Sequence, residues 1–372
     1  MTSRRLTIVQ MVPEMQSGGV EKGTVELSAE LVNQGHRSII ISNGGRLVEK
    51  IIADGGEHIQ WNVRAKSPLT LRWIFPLRKF LAENQVDILH ARSRIPAWIA
   101  YFAWKGMPAA TRPHFVTTAH GLYSVNRYSE VMTRGEKVIA ISETVKSYLQ
   151  KSYSRLDTDL IQVIPRGVDP LDFPRGFQPS QAWQESWFQE FPQLLGNPVL
   201  SLIGRLTRLK GHQDFIEMID LLRKDLPDIR GLIVGGKDPR RSQYAEELKR
   251  VVHERNLQDN IVFAGHRSDI KEIYSISNIV MGLTSNPPEA FGRTTVEALT
   301  MGIPVVGYNH GGTGEILQKV FPQGLIPVGD VSFAVEQIKQ LLANHTFVPT
   351  EHPYLKSKML ADTLSVYEEL AA

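Results

Sequence analysis

The stretch Pro287 to Glu315, PPEAFGRTTVEALTMGIPVVGYNHGGTGE, decides how the chain is read. It runs as loop, helix, short apolar strand and a glycine-rich turn that opens a second helix. Pro304 to Gly307, PVVG, has the unbroken apolar character of a strand buried on both faces of a parallel sheet. Gly292, Gly302, Gly311, Gly312 and Gly314 mark tight turns or close backbone approaches. Two helix N-termini then open at one end of such a sheet, where open α/β sheets bind ligands and where free N–H groups favour phosphate. Glu289 lies in the loop before the first helix and Glu297 near that helix's middle. A carboxylate accepts hydrogen bonds from sugar hydroxyls and not from phosphate oxygens. Amide donors beside carboxylates therefore suit a nucleotide sugar. The alternative is a helix carrying two solvated acids. On an ideal helix eight positions separate the two by about 80°, so they need not share a face.

Working outward, 372 residues exceed what one core usually supports, which points to two domains. Hydrophobic content of 42% and charged content of 22% are those of a soluble globular protein. With no cysteine, disulfides and thiolate metal sites are excluded, and a cytoplasmic setting is expected. MTSRRLTIVQMV lacks the apolar core and cleavage site of a signal peptide, and Ile95 to Trp104 is too short to span a bilayer.

Alternating strands and helices follow from the first residues. LTIVQMV is a strand, PEMQSGGVEKG a loop, TVELSAELVNQG a helix ending at Gly35, and HRSIIISNGG a strand. Its Gly18-Gly19 turn lacks the spaced G-x-G-x-x-G of a dinucleotide fold. Later strands are expected at HIQWNV, VDILHA, HFVTTAHG, EKVIAIS and LIQVIPRGVD, with helices over Leu69–Asn84 and Ile95–Lys105 and another capped by Ser142. A proline-rich shift from Pro170 to Pro198 divides residues 1–170 from a second series at 171–353, and residues 354–372 read as a final helix.

Three further places carry chemistry. Arg205 and Lys210 follow a buried strand in RLTRLKG, where an arginine fork and a lysine point charge could grip a diphosphate; an ordinary basic loop is the alternative. His120 ends the strand FVTTA and is either structural or turned into a site. Gly18, Gly19 and Glu21 form a strand-to-helix turn whose default reading is a plain tight turn. No aspartate pair is spaced to hold a divalent metal, so cations and helix dipoles would neutralise a leaving diphosphate.

GGVEK (18–22), TAHG (118–121), GRLTRLKG (204–211) and EAFGRTTVEALTMGIPVV (289–306), in this order, resemble the retaining GT-B glycosyltransferases, family 4 in particular. The resemblance covers about residues 7 to 316 and extends to the last helix. It implies an α/β GT-B fold of two Rossmann-like domains with parallel sheets facing across a cleft. Residues 1–170 would take the acceptor, 171–353 the nucleotide sugar, and residues 354–372 would pack back on the first domain. It further implies that Glu289 binds donor-sugar hydroxyls near C3, Glu297 the ribose hydroxyls, and Arg205 and Lys210 the diphosphate. The amides of Ala290, Phe291 and Gly292 and the Gly18–Gly19 turn would assist with the diphosphate. His120 would lie beside the anomeric region, and the segment around Gly265, His266 and Arg267 would pass the nucleobase. The implied reaction is front-face transfer without a protein base, with no metal or other cofactor. GGVEK in place of KxGGL argues against polyglucan synthesis. The expected donor is a UDP-sugar. The expected acceptor is a lipopolysaccharide core or another envelope glycan, as glycolipid or oligosaccharide. A nucleotide-sugar 2-epimerase and an inactive membrane-peripheral scaffold are the alternatives.

Charge is unevenly spread. Through Asp169 there are 22 basic and 15 acidic residues, net +7, and beyond it 20 and 24, net −4. Residues 61–112 alone hold nine basic residues and two acids. Lys66, Arg72, Arg78 and Lys79 interleave there with Trp61, Leu71, Trp73, Ile74 and Phe75. This suits the inner face of a bacterial inner membrane or an anionic lipid acceptor. The alternative is a solvated helix with Trp73 and Phe75 in the core. Nucleic acid is disfavoured by the overall charge of +3 and the lack of a recognition motif.

Overall fold

The computed structural model describes residues 4–16, 18–236, 242–344 and 346–372; Met1–Ser3 of the N-terminal segment read above lie outside them. The chain divides into two compact units, Met1–Pro165 with Ser357–Ala372, and Arg166–Lys356.

The first unit is built on β1 (Thr7–Met11), β2 (Arg37–Ser42), β3 (Glu57–Gln60), β4 (Ile88–Ala91), β5 (His114–Ala119), β6 (Lys137–Ala140) and β7 (Ile161–Val163). All pair in parallel, in the order β3-β2-β1-β4-β5-β6-β7. The helices are α1 (Gly19–Asn33), α2 (Val48–Ala53), α3 (Ile74–Glu83), α4 (Arg94–Lys105) and α5 (Glu143–Ser152). Side chains alternate across the sheet, so successive apolar residues feed different cores. Val9, Leu89 and Phe115 pack with Leu77, Leu81 and Ala100 of α3 and α4. Their neighbours Ile8, Ile88 and Val116 pack with Leu27 and Leu31 of α1. Helix α1 ends where Gly35 takes φ +83, the N–H of Gly35 bonding the carbonyl of Val32 and that of His36 the carbonyl of Leu31. Ser142 caps α5, its Oγ accepting from the N–H of Val145 at 3.1 Å.

The helix expected over Leu69–Asn84 is broken. Pro68–Trp73 is a tighter 3₁₀ turn, and α3 begins only at Ile74. Pro76 is the cause, since it lacks the N–H that would reach the carbonyl of Arg72 in a continuous helix. Trp73 stacks on Trp61 at 4.9 Å and joins the core, whereas Phe75 is 71% exposed.

The second unit contains α6 (Gln181–Glu190), β8 (Val199–Ile203), α7 (His212–Leu222), β9 (Arg230–Val234), α8 (Ser242–Glu254), β10 (Ile261–Gly265) and α9 (Ile270–Ser275). It continues with β11 (Ile279–Gly282), α10 (Arg293–Thr300), β12 (Val305–Tyr308), α11 (Gly311–Val320), β13 (Leu325–Ile326) and α12 (Val331–Ala343). Its strands are again all parallel, in the order β10-β9-β8-β11-β12-β13. Val305–Gly307 of the PVVG run lie in β12, whose four residues are all buried. The last helix, α13 (Lys356–Ala371), belongs to the first unit, where Met359, Leu360, Val366 and Tyr367 pack with Leu6, Ile8 and Leu27.

The aromatic run of α6 anchors the start of the second unit. Trp187 is buried against Val199, Leu232 and Val262, and Trp183 stacks on it at 5.0 Å. The indole N–H of Trp183 donates to Asp269 Oδ2 at 2.8 Å, and the Arg267 guanidinium grips both oxygens of that carboxylate at 2.9 and 3.0 Å. Arg267 foremost, with Trp183, depresses the Asp269 carboxyl from 3.8 to about 2. Because the folded state lowers this pKa, the stabilisation is present above pH 3.8 and is lost as pH falls through about 2. The Asp269→Asn variant is therefore expected to lose about 2 kcal/mol at pH 7. Calorimetric scans of both proteins should converge as the pH falls from about 4 to about 2.

Candidate functional site

In the second sheet the chain proceeds outward from β8 in both directions, so β8 and β11 flank the point where strand order reverses. The loops leaving the C-terminal ends of these two strands enclose the crevice in which such sheets bind ligands. Those loops carry Arg205–Lys210 and Thr284–Gly292.

After β8 the chain makes a one-turn 3₁₀ helix, Arg208–Lys210, stopped by Gly211 at φ +70. A side chain at Gly211 would be strained, and its Cβ would lie 2.4 Å from the carbonyl oxygen of Leu283. Glycine thus lets the first loop lie against the start of the second. Lys210 Nζ consequently reaches Glu289 Oε2 at 2.5 Å, and Thr284 Oγ1 donates to the same oxygen at 3.1 Å. Glu289 Oε1 has no hydrogen-bond partner among the described residues. The Lys210 and Glu289 side chains remain 30% and 27% exposed, so the pair is worth roughly 0–1 kcal/mol and readily gives way to a ligand. Arg205 is exposed, with no ion-pair partner among the described residues.

Glu289 precedes the helix, because α10 begins at Arg293 with Gly292 as its N-cap in the left-handed region. The helical-wheel angle between Glu289 and Glu297 therefore does not apply. Glu297 is buried; its Oε1 accepts from Arg293 Nε at 2.7 Å and its Oε2 from the Tyr274 hydroxyl at 2.9 Å. Burial, reinforced by this carboxylate, holds the Tyr274 hydroxyl well above its ordinary pKa, so it stays a donor. Ala290, Phe291 and Gly292 form the connection that packs on α11, where the N–H of Gly312 donates to the Glu289 carbonyl at 2.7 Å. The N-termini of α10 and α11 thus flank the Glu289 loop.

His266 is exposed just beyond β10, beside Gly236 at the end of β9. Arg267 pairs with Asp269 and Glu190 and lies over the Trp187 ring. In the first unit, Gly18 caps α1, and the Glu21 carboxylate lies where a side chain at Gly18 would be. An anion at this turn would therefore face an acid. His120 follows β5 directly at half burial, its backbone N–H donating to the Tyr123 hydroxyl at 3.1 Å. Among the described residues no group of three or more His, Asp or Glu side chains is placed to hold a metal ion.

Sequence reading misses Thr284, Tyr274 and Arg293. The i,i+4 pairing of Arg293 with Glu297 is a signal it could use. Tyr274 sits on another helix, and no local pattern links it to Glu297.

The two parallel-sheet units have the fold of a GT-B glycosyltransferase. Residues 17–171 match the family model for Glycosyltransferase Family 4, and residues 184–353 that for Glycosyl transferases group 1. A crystal structure of a glycosyltransferase from Rickettsia africae ESF-5 superposes with a TM-score of 0.84 at 30% identity, covering 98% of each chain. A phosphatidylinositol N-acetylglucosaminyltransferase polypeptide of Homo sapiens is 26% identical over 83% of this chain and 62% of its own length. The chain thus spans less than two thirds of that relative. N-acetyl-alpha-D-glucosaminyl L-malate synthase of Bacillus anthracis is 24% identical over 89% of this chain and 85% of its own. The chain belongs to the family 4-like GT-B glycosyltransferases.

If Tyr274 holds Glu297 in place, Tyr274→Phe should destabilise the second unit by about 1.5–3 kcal/mol, the worth of a hydrogen bond to a charged group. Calorimetry reads this directly, and an unchanged unfolding midpoint would refute it.

Proposed function

We propose that the protein is a retaining hexosyltransferase that moves a sugar from a UDP-sugar to an envelope glycan or glycolipid. The observation that carries this reading is the Lys210–Glu289 pair at the strand-order reversal, with Glu289 Oε1 left for a ligand. An arriving diphosphate exchanges its oxygens for Glu289 as the partner of Lys210, and Arg205 supplies a second cation. The released carboxylate accepts hydroxyls of the donor sugar, while Glu297, oriented by Tyr274 and Arg293, accepts those of the ribose. Its two protein donors leave lone pairs for that purpose.

The transfer breaks the bond between the anomeric carbon and the diphosphate oxygen, and the nucleotide leaves with both bonding electrons. The acceptor hydroxyl oxygen bonds to the same face of that carbon, and its proton passes to the departing phosphate. Fixed charge around the diphosphate is the main contribution asked of the protein. Both curated relatives described above are named for N-acetylglucosamine, which supports that sugar in the donor. The α-product in the name of the Bacillus anthracis relative supports retention. The roles of His120 and the Gly18–Gly19 turn rest on the motif resemblance alone. The basic segment 61–112 is assigned to contact with the acceptor or an anionic membrane, and no helix among the described residues is long and apolar enough to cross one.

Thermal-shift measurements with UDP-N-acetylglucosamine, UDP-glucose, GDP-mannose and ADP-glucose test the donor. A ligand at 100 times its Kd stabilises the native state by about 2.7 kcal/mol, so the right nucleotide sugar should stand out. Lys210→Ala and Glu289→Ala are each expected to reduce transfer by about 100-fold or more while leaving the unliganded melting temperature within a few degrees. Near-normal turnover in either variant would sink the assignment.

A further inference from the structure

The basic segment surrounds an apolar groove within the first unit. The chain around Ala65–Leu71 and helix α4 enclose a hollow of about 520 Å³, walled by Ala65, Pro68, Leu71, Ile95, Trp98 and Tyr128. That volume falls in the range of about 300–1,000 Å³ usual for small-molecule sites. A smaller hollow of about 190 Å³ adjoins it, sharing Ala65, Ser67 and Thr70 and adding Arg72. At the lip, Leu69 is 74% exposed and Leu71 44%, and Phe75, one turn on, is 71% exposed. Three large apolar side chains turned to water within seven residues form a patch that needs a partner.

The charge around the groove has one sign. Lys66 lines it, Arg72 lies over the Trp73 ring at 5.1 Å, and Arg94 sits beside the Tyr123 and Tyr128 rings at 5.0 and 5.2 Å. None of these three cations pairs with a carboxylate among the described residues. The two acids of the segment are engaged elsewhere, Glu83 with Lys79 and Asp87 with Arg4. The Pro76 break makes this arrangement possible, because the 3₁₀ turn Pro68–Trp73 puts Leu71 against the groove and Arg72 in the smaller hollow.

We propose that this groove binds the apolar chain of a lipid phosphate, with the chain against Leu71, Ile95 and Trp98 and the phosphate held by Lys66 and Arg72. It would be the anchor of a lipid-linked acceptor, so the proposal rests on the transferase reading and names the acceptor's class. A concave apolar wall with Lys66 in its lining and Arg72 in the adjoining hollow fits one thread-like chain with a charged end. A flat bilayer surface would engage the protruding Leu69 and Phe75 and leave the hollow unfilled.

Dodecyl phosphate, kept below its micelle concentration, is the probe, and the Trp fluorescence of the full chain together with calorimetric titration reads its binding. The wild type should bind it, with inorganic phosphate and dodecyl maltoside each weaker by roughly tenfold or more, because neither supplies both chain and charge. Leu71→Glu places a carboxylate against the alkyl chain and should weaken binding by roughly tenfold. Lys66→Ala, at an exposed position where folding is not at risk, should weaken dodecyl phosphate and leave dodecyl maltoside unchanged. Equal binding by wild type and both variants would overturn the groove. So would failure to bind dodecyl phosphate alongside sedimentation with phosphatidylglycerol vesicles, which would make the face a bilayer contact. Donor-induced thermal shifts, run on the same variants, should stay at the wild-type value. Their absence in the wild type would remove the transferase reading while leaving the lipid result to stand or fall alone.

Discussion

The candidate site depends on how closely the loop bearing Glu289 approaches the first turn of α11. The Gly312 N–H bonds the Glu289 carbonyl at 2.7 Å, and a methyl group at Gly312 would sit 2.2 Å from the carbonyl oxygen of Phe291. Gly311 is equally constrained, since a Cβ there would lie 2.6 Å from the Glu289 oxygen. Only a bare backbone permits this contact. It fixes the main chain of Glu289 to Phe291 while leaving the side chain of Glu289 in a weak, half-exposed pair with Lys210. Rigid amides and an exchangeable carboxylate are what a charged, hydroxyl-bearing ligand requires: the first cost no reorganisation, and the second can change partners.

Glu297 contrasts with this. Its carboxylate is buried and held from two sides, by a guanidinium on its own helix and a phenol from α9. Of the two acids in the E-x7-E element, one is poised to move and the other to stay. That difference follows from burial, because an ion pair near water is worth little, whereas a buried carboxylate stripped of its donors is expensive.

The glycines and the unbroken apolar strands made the fold legible in the sequence. Val305–Tyr308 reads as a doubly buried strand, and the Gly311-Gly312 pair marks where the chain must come close. Single residues broke regularity where a local rule met a local obstacle. Pro76 splits the helix expected from Leu69, whereas Gly292, as N-cap of α10, keeps Glu289 in the loop where the sequence places it. Partners from distant elements stayed hidden. Tyr274 belongs to a helix whose own pattern explains only its burial, and no local pattern ties Arg267 to Glu190 or the Trp187 ring. Periodicity reports which face is buried and is silent on which polar group it meets there.

Helix α13 completes the first unit from the far end of the chain. Met359, Leu360, Val366 and Tyr367 cover Leu6, Ile8, Leu27 and Leu31, and the Tyr367 hydroxyl meets the buried ring of His90 at 2.5 Å. During synthesis on the ribosome this core face stays uncovered until residue 367 has emerged, although the strands beneath it were made first. The second unit, continuous from Arg166 to Lys356, can close before then. Completion of the first unit's core thus requires a helix separated from its sheet by the whole of the second unit. Loss of the last two turns would leave the earliest-made sheet open to misassembly without altering a residue of the candidate site.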